Sequence, residues 1–322
     1  FDKKLLYKGF KIVPYCPRCG TPLSSHEVAQ GYKAVKERSA VVRFKVCGED
    51  AYFLAWTTTP WTLPSNVALC VNPNETYCKV KAADGFTYYL AEALMDKILS
   101  KLGDENTPAY EVLEKYIGSD LERKEYEPLF DYVKPICEKQ GKKGHYITCD
   151  NYVTMTDGTG IVHIAPAYGA EDFWAAKAID PHFPVLLNVD TYGNFDETVV
   201  DFAGENIFVA NPKIIDWLKT NSRLVKKEQY KHSYPFCWRC KTDLVYKLIS
   251  AWFIKTDEIR PLALKAIEEV EFKPEFAKKR MVDWLNNMGD WNISRKRFYG
   301  LPLPFYVCEK CGKVLSYQSG FF

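Results

Sequence analysis

The chain has 322 residues, 47% of them apolar and 15% aromatic, which excludes the disordered class and leaves material for one large core or two modest ones. With 43 basic and 41 acidic side chains the formal charge is +2, so no strong global field draws in nucleic acid and any such contact must be local. No stretch approaches the roughly 20 apolar residues of a membrane helix and no secretory leader is evident, which predicts a cytoplasmic protein with no membrane partner.

In chain order, Phe1 runs directly into Leu5-Leu6-Tyr7-Lys8-Gly9, which reads as mid-domain sequence, so an excised piece of a longer chain is expected. Residues 1–35 carry a first cysteine knuckle with little helical period. Alternation then predicts strands at Val41–Val46, Ala51–Trp56 and Tyr77–Lys81. Leu90, Leu94, Ile98, Leu99 and Leu102 recur at helical spacing up to Gly103 and predict one helix. Strands are expected again at Tyr110–Tyr116 and across His145–Ala165, with Asp157-Gly158 as a hairpin turn, then a helix at Glu171–Ile179 and a strand at Val185–Val189. Many short strands with few helices predict a closed sheet over 36–208, because closure removes unpaired edges. From 209 to 322 the pattern is helical, at Ile214–Leu218, Leu262–Val270 and Ala277–Met288, interrupted by a second knuckle and followed by a third. The fold class is therefore α+β, a mainly β-barrel domain with flanking helices and a knuckle base.

Six of the eleven cysteines form C-x-x-C pairs: Cys16/Cys19, Cys237/Cys240 and Cys308/Cys311. Two such knuckles complete a tetrahedral zinc site, and the aromatic, proline and arginine residues shared around the first two pair Cys16 and Cys19 with Cys237 and Cys240. Cys308 and Cys311 would form an incomplete second site. Disulfides fit poorly with an odd cysteine total in a cytoplasmic chain. Cys47, Cys70, Cys78, Cys137 and Cys149 read as buried small residues. Basic clusters at Lys226-Lys227, Lys278-Lys279-Arg280 and Arg295-Lys296-Arg297 suit phosphate contact, although the first two are more simply solvated helix faces.

The run Trp56-Thr57-Thr58-Thr59-Pro60-Trp61-Thr62-Leu63-Pro64-Ser65-Asn66 is poor material for a plain core strand and reads as a binding surface. A second stretch, Gly158–Asp172, places His163 and Asp172 nine positions apart across a strand, a proline turn and a helix start. A carboxylate at a helix start suits pairing with an ammonium group, threonine hydroxyls suit holding a water or an ester, and a histidine suits orienting a hydroxyl or transferring a proton. Taken singly, each has a bland alternative: His163 a satisfied core histidine, Asp172 an N-cap, the threonines mere strand formers.

Taken together, these motifs resemble the editing domain, connective peptide 1, of the isoleucyl-tRNA synthetase family within the class I synthetases. The resemblance runs from Tyr15-Cys16-Pro17-Arg18-Cys19-Gly20 to Trp291-Asn292-Ile293-Ser294-Arg295-Lys296-Arg297-Phe298-Tyr299-Gly300, with departures at Lys296 and Phe298. Thr59 stands where leucyl and valyl members usually carry arginine. It implies a barrel, a structural Zn2+ tying the start of the insertion to its end, and hydrolysis of valine mischarged onto tRNA(Ile), isoleucine being excluded by size. The implied partners are the tRNA(Ile) acceptor end and the remainder of the synthetase, which carries ATP binding, since His-Ile-Gly-His and Lys-Met-Ser-Lys-Ser type signatures are absent here. It assigns Asp172 to the substrate amino group and His163, Thr57, Thr58, Thr59, Trp61 and Asn66 to the pocket. The candidate catalytic set is then Asp172, Thr59 and His163, and the substrate-binding set Thr57, Thr58, Trp61, Thr62, Asn66 and again Asp172. In some members cysteines further along complete the site that Cys308 and Cys311 begin. The alternative is a noncatalytic, zinc-dependent tRNA-docking module of the same synthetase, which would have no need of Asp172 facing a polar pocket.

Overall fold

The computed structural model describes residues 2–102, 108–180, 182–294 and 300–316. Contacts group the chain into two compact units, Ile12–Leu248 and a smaller one made of Phe1–Lys11 with Ile249–Phe322.

The larger unit takes up the end of β1 (Leu6–Cys16), which turns through the first knuckle into β2 (Thr21–Pro22), with Tyr15 opposite Pro22. Helix α1 (Ser25–Ala29) starts with a reciprocal cap: Ser24 Oγ accepts from Glu27 N–H and the Glu27 carboxylate accepts from Ser24 N–H. Then come β3 (Tyr32–Lys45), β4 (Tyr52–Thr57), β5 (Ala68–Val71), β6 (Thr76–Ala82), β7 (Thr87–Ala91), helix α2 (Met95–Leu99), β8 (Tyr110–Ile117), helix α3 (Lys134–Gln140), β9 (Ile147–Cys149), β10 (Ile161–Ile164), helices α4 (Ala170–Ile179) and α5 (Ile207–Thr220), and β11 (Leu224–Pro235). The strands form one sheet in the order β8-β6-β7-β4-β10-β5-β9, with β3 against β4 and β11 along β3.

This sheet curls on itself into a barrel. Beyond β3, Val46 bridges Tyr126, and Glu125 bridges Tyr146 just before β9, so residues 124–126 complete the wall between β3 and β9. Cys47 N–H donates to Glu125 C=O at 2.9 Å and Ile147 N–H to Lys124 C=O at 2.8 Å. The alternating residues of the curled wall put Phe44, Phe53, Leu69, Tyr77, Tyr89 and Tyr126 fully inside. The arrangement is the α+β, barrel-centred architecture expected from the strand pattern.

In the smaller unit, β12 (Val245–Ile254), whose first residues belong to the larger unit, pairs with β13 (Trp291–Asn292), Phe253 facing Asn292. Helices α6 (Arg260–Glu268) and α7 (Phe276–Asn287) are tied by Arg260, whose Nε donates to Leu285 C=O and Nη2 to Met288 C=O. Tyr7 stacks on Phe253 and donates to Asp290 Oδ2 at 2.5 Å. Strands β14 (Phe305–Val307) and β15 (Val314–Ser316) flank the third knuckle as an antiparallel pair.

Several local expectations change. The helix read over Leu90–Leu102 is only α2 between 3-10 turns, because Leu90 belongs to β7 and pairs with Cys78, where strand burial outweighs helical spacing. Gly103 lies outside the described residues. Asp157-Gly158 joins no hairpin: β10 and β9 flank β5 on its two sides, and Asp157 pairs with Lys97 at 2.6 Å. Val185–Val189 forms no strand and contributes one isolated bridge, Val189 to Phe195. The region after 209 is not simply helical, since β11 and β12 lie in it; Leu224–Pro235 spans twelve residues paired along β3, a partner far away in sequence. Cys47 is exposed rather than buried, sitting where β3 runs into its turn.

Candidate functional site

Strand β4 delivers the threonine run and ends at Thr57, whose Oγ1 accepts from Thr59 N–H at 3.0 Å and turns the chain sharply. Pro60–Ser65 then forms a buried 3-10 turn, entered by Pro60 with its fixed φ and missing donor. The run is therefore two-sided. Trp61, Thr62, Leu63, Ser65 and Asn66 are buried, whereas Thr58 and Thr59 keep surface.

Trp61 is held at both ends: its backbone N–H donates to Asn211 Oδ1 at 3.0 Å and its ring packs edge-on against Tyr168 at 5.0 Å. Tyr168 in turn donates to Asn188 Oδ1, which also accepts from Ser65 Oγ. Asn188 and Asn211 carry no sequence signal that marks them and join the site only because the 184–189 segment and α5 pack on the turn, whereas Tyr168 lies within the Gly158–Asp172 stretch.

Strand β10 brings His163 against the same turn. Its Nε2 lies 2.8 Å from Thr62 Oγ1 and its Nδ1 3.4 Å from Asn66 Nδ2. Thr62 Oγ1 also donates to Thr59 C=O at 2.8 Å, and Thr59 Oγ1 lies 3.5 Å from it. Thr59, Thr62, His163 and Asn66 thus form one connected network. Burial pushes the His163 pKa down to about 4, so the ring is neutral at physiological pH.

Asp172 sits in the first turn of α4, and the N-cap position is Gly169, not Asp172. Its Oδ2 accepts from Ala165 N–H at 2.9 Å, immediately after β10, which fixes the carboxyl two residues beyond His163. Gly169 makes room for it: a Cβ there would stand 2.6 Å from the Asp172 carboxyl carbon, although φ −133° and ψ 134° suit any residue. Desolvation pushes the Asp172 pKa up to about 6, although the residue keeps some surface, and Glu171 adds to the shift. Among the described residues no lysine, arginine or histidine pairs with it. It is a desolvated carboxylate held by a backbone N–H.

The structure brings Thr57, Thr59, Thr62, Asn66 and His163 into hydrogen-bonded contact and holds Trp61 in the same turn. Asp172 is fixed separately, at the end of the strand that carries His163. The Thr58 hydroxyl makes no hydrogen bond among the described residues.

The second constellation is Cys16, Cys19, Cys237 and Cys240, whose sulfurs all lie within 4.8 Å of one another. Cys16 and Cys240 are 3.4 Å apart and Cys19 and Cys237 4.0 Å, close to the roughly 3.8 Å edge of a tetrahedron with about 2.3 Å metal–sulfur bonds. Each knuckle closes with a left-handed residue, Gly20 at φ +66° and Lys241 at φ +60°. Gly31 lets the two approach: its C=O accepts from Phe236 N–H, and a Cβ there would lie 1.9 Å from Phe236 C=O. The four thiols could bind a metal. Cys308 and Cys311 belong to no such cluster among the described residues.

The family model described as "tRNA synthetases class I (I, L, M and V)" matches residues 1–321. The chain belongs to this family. Among its relatives, the isoleucine–tRNA ligase of Clostridium kluyveri is 45% identical over 313 residues, 97% of this chain and 29% of that ligase. The cytoplasmic isoleucine–tRNA ligase of Arabidopsis thaliana is 40% identical over 352 residues, covering 99% of this chain and 29% of its own length. The chain thus spans about three-tenths of these class I synthetases. A solved leucyl-tRNA synthetase editing domain from P. knowlesi aligns with a TM-score of 0.43 and 14% identity, over 63% of this chain and 99% of that one.

Within the return segment of the synthetase resemblance, Trp291–Gly300, residues 295–299 lie outside the described residues. So does the third basic cluster. Of the other two, Lys226 pairs with Glu228 and Lys278 with Glu268, so each is partly neutralised by its neighbours.

Proposed function

We propose that this chain is the post-transfer editing domain of an isoleucyl-tRNA synthetase and hydrolyses the ester of valine mischarged onto tRNA(Ile). The observation that carries the reading is Asp172: a desolvated carboxylate that pairs with no lysine, arginine or histidine among the described residues, fixed just beyond the strand whose His163 joins the threonine network, in a synthetase-family chain. An aminoacyl ester carries a free α-ammonium that such a group can pair with through a charge-assisted hydrogen bond.

In this reading Asp172 anchors the ammonium, and the hydroxyls of Thr58 and Thr59 face the ester and the attacking water. Water adds to the ester carbonyl, and the bond to the ribose oxygen breaks as that oxygen takes up a proton. His163 is neutral and hydrogen-bonded to Thr62, so it serves to hold the threonine turn in place more than to exchange protons. Trp61, clamped by Asn211 and Tyr168, and Thr57 give the pocket a rigid wall. Rigidity is what a size sieve requires, since one methylene is worth only about 1–3 kcal/mol, isoleucine against valine in this enzyme class being the standard instance.

The four clustered thiolates would hold a structural Zn2+, which adds no chemistry at the ester and ties the 12–35 segment to 236–244. The tRNA(Ile) acceptor end, the remainder of the synthetase and a cytoplasmic setting complete the reading. The test is release of amino acid from valyl- and isoleucyl-tRNA(Ile) by the 322-residue chain and its Asp172→Ala variant. Valine-selective release that the variant lacks is expected; equal release by both proteins would remove the amino-anchor role.

A further inference from the structure

The hydrogen bonds around Asn66 have a direction that can be worked out donor by donor. Asn66 Nδ2 lies 2.8 Å from Ala68 C=O, which can only accept, so the amide nitrogen is on that side. Asn66 Oδ1 is therefore the atom that accepts from Tyr126 O–H, at 2.7 Å. The remaining N–H of the same amide points at His163 Nδ1, so Nδ1 must be the unprotonated nitrogen. A neutral ring then carries its proton on Nε2 and donates to Thr62 Oγ1, whose own proton goes to Thr59 C=O.

A second support acts on the backbone of Asn66. His145 Nε2 lies 3.2 Å from Asn66 C=O, and a carbonyl can only accept, so this nitrogen donates. His145 reaches it from a left-handed backbone, φ +61°, uncommon outside glycine. Its N–H donates to Val67 C=O at 2.7 Å, and its C=O accepts from Tyr126 N–H. Tyr126 comes from the piece of wall that closes the barrel and His145 from the chain beside it, just before β9.

We propose that Tyr126 and His145 are positioning residues that fix Asn66 and, through it, hold His163 as its Nε2–H tautomer with Thr62 as acceptor. Every donor in the chain is then committed inward, and the hydroxyls of Thr58 and Thr59 are the ones left to meet a substrate. The consequence for hydrolysis rests on the editing reading; the tautomer does not.

The test is nitrogen-15 spectroscopy of the chain labelled at histidine, with His163→Gln identifying the resonances among the five histidines. The wild-type chain should show His163 protonated at Nε2. Tyr126→Phe removes one of the amide's two anchors and leaves the Ala68 carbonyl, so a minor Nδ1–H population should appear; Asn66→Asp, which replaces the donor by an acceptor, should make that tautomer dominant with Tyr126 intact. His145→Asn, which tolerates the left-handed backbone but falls short of Asn66, should give a smaller shift than Tyr126→Phe. In deacylation of valyl-tRNA(Ile), Tyr126→Phe should lower kcat about tenfold with KM little changed, and the double variant with Asn66→Asp should be no worse than Asn66→Asp alone.

A wild-type ring protonated at Nδ1, or a Tyr126→Phe ring unmoved at Nε2, overturns the proposal. Should Tyr126→Phe fail to fold, the wild-type and His145→Asn spectra decide it, a His145→Asn ring identical to wild type overturning the positioning role. Tautomers that follow the expected order with no hydrolysis by any form would uphold the positioning role and sink the editing reading alone.

Discussion

The cysteine centre and the threonine–histidine network solve opposite problems. In the network each buried polar group meets another of the chain's own, down to Tyr126 behind Asn66, so it is complete without a ligand. At the cysteine centre four sulfurs crowd within 4.8 Å, met by one another and by a few donors such as Cys19 N–H on Cys16 Sγ, an arrangement that could bind a metal ion. A self-satisfied network gives rigidity and shape. An unsatisfied one gives affinity, and Asp172 is the member of the candidate pocket that follows this second logic.

The largest expected effect breaks the cysteine side. Cys237→Ser, or removal of metal by a chelator, should abolish metal binding and cost about 5 kcal/mol or more, since metal binding to such sites is coupled to folding. Metal stoichiometry with urea unfolding checks this; a fully stable chain after chelation would mean the thiols do not depend on zinc.

Asp172→Asn sharpens the contrast by making the pocket as self-satisfied as the network. The amide oxygen can still accept from Ala165 N–H, but the charge is gone, so deacylation should fall about 100-fold. Stability should move the other way. A carboxyl raised to about 6 favours its protonated form when folded, so its contribution is present below about pH 4 and lost as pH rises through 6. Allowing for its partial exposure, the variant should be more stable than wild type by ~1–2 kcal/mol at pH 7.5 and equal to it near pH 4. His163 has the opposite sign: lowered to about 4, it costs stability as pH falls from about 6.5. The two slopes oppose each other in the wild type, and acid unfolding should steepen once Asp172 is replaced. Wild-type kcat/KM should rise with pH through a limb near 6. A variant with unchanged stability at both pH values would show that the carboxyl is not desolvated.

The smallest change acts through sterics alone. Gly169→Ala puts a methyl into the space of the Asp172 carboxyl without backbone strain, so stability should change by under about 1 kcal/mol while deacylation falls roughly tenfold. Unimpaired activity would show that the position of the carboxyl is not critical.

What the sequence alone carried is what local spacing encodes. C-x-x-C spacing marked the four cysteines that the fold gathers into a candidate metal site, because two residues are enough to turn both thiols to one side, and strand alternation marked most of the barrel wall. The threonine run, His163 and Asp172 were legible as a set only through a family resemblance, since singly each passes for an ordinary core or cap residue. Tertiary structure alone decided the rest. It buried half of the threonine run, placed Leu90 in a strand, paired β11 along β3, and brought Tyr126 and His145 to Asn66 across a barrel seam. Hydrogen bonds between residues 60 to 101 positions apart leave no periodic trace along the chain, because their geometry exists only once the sheet has closed.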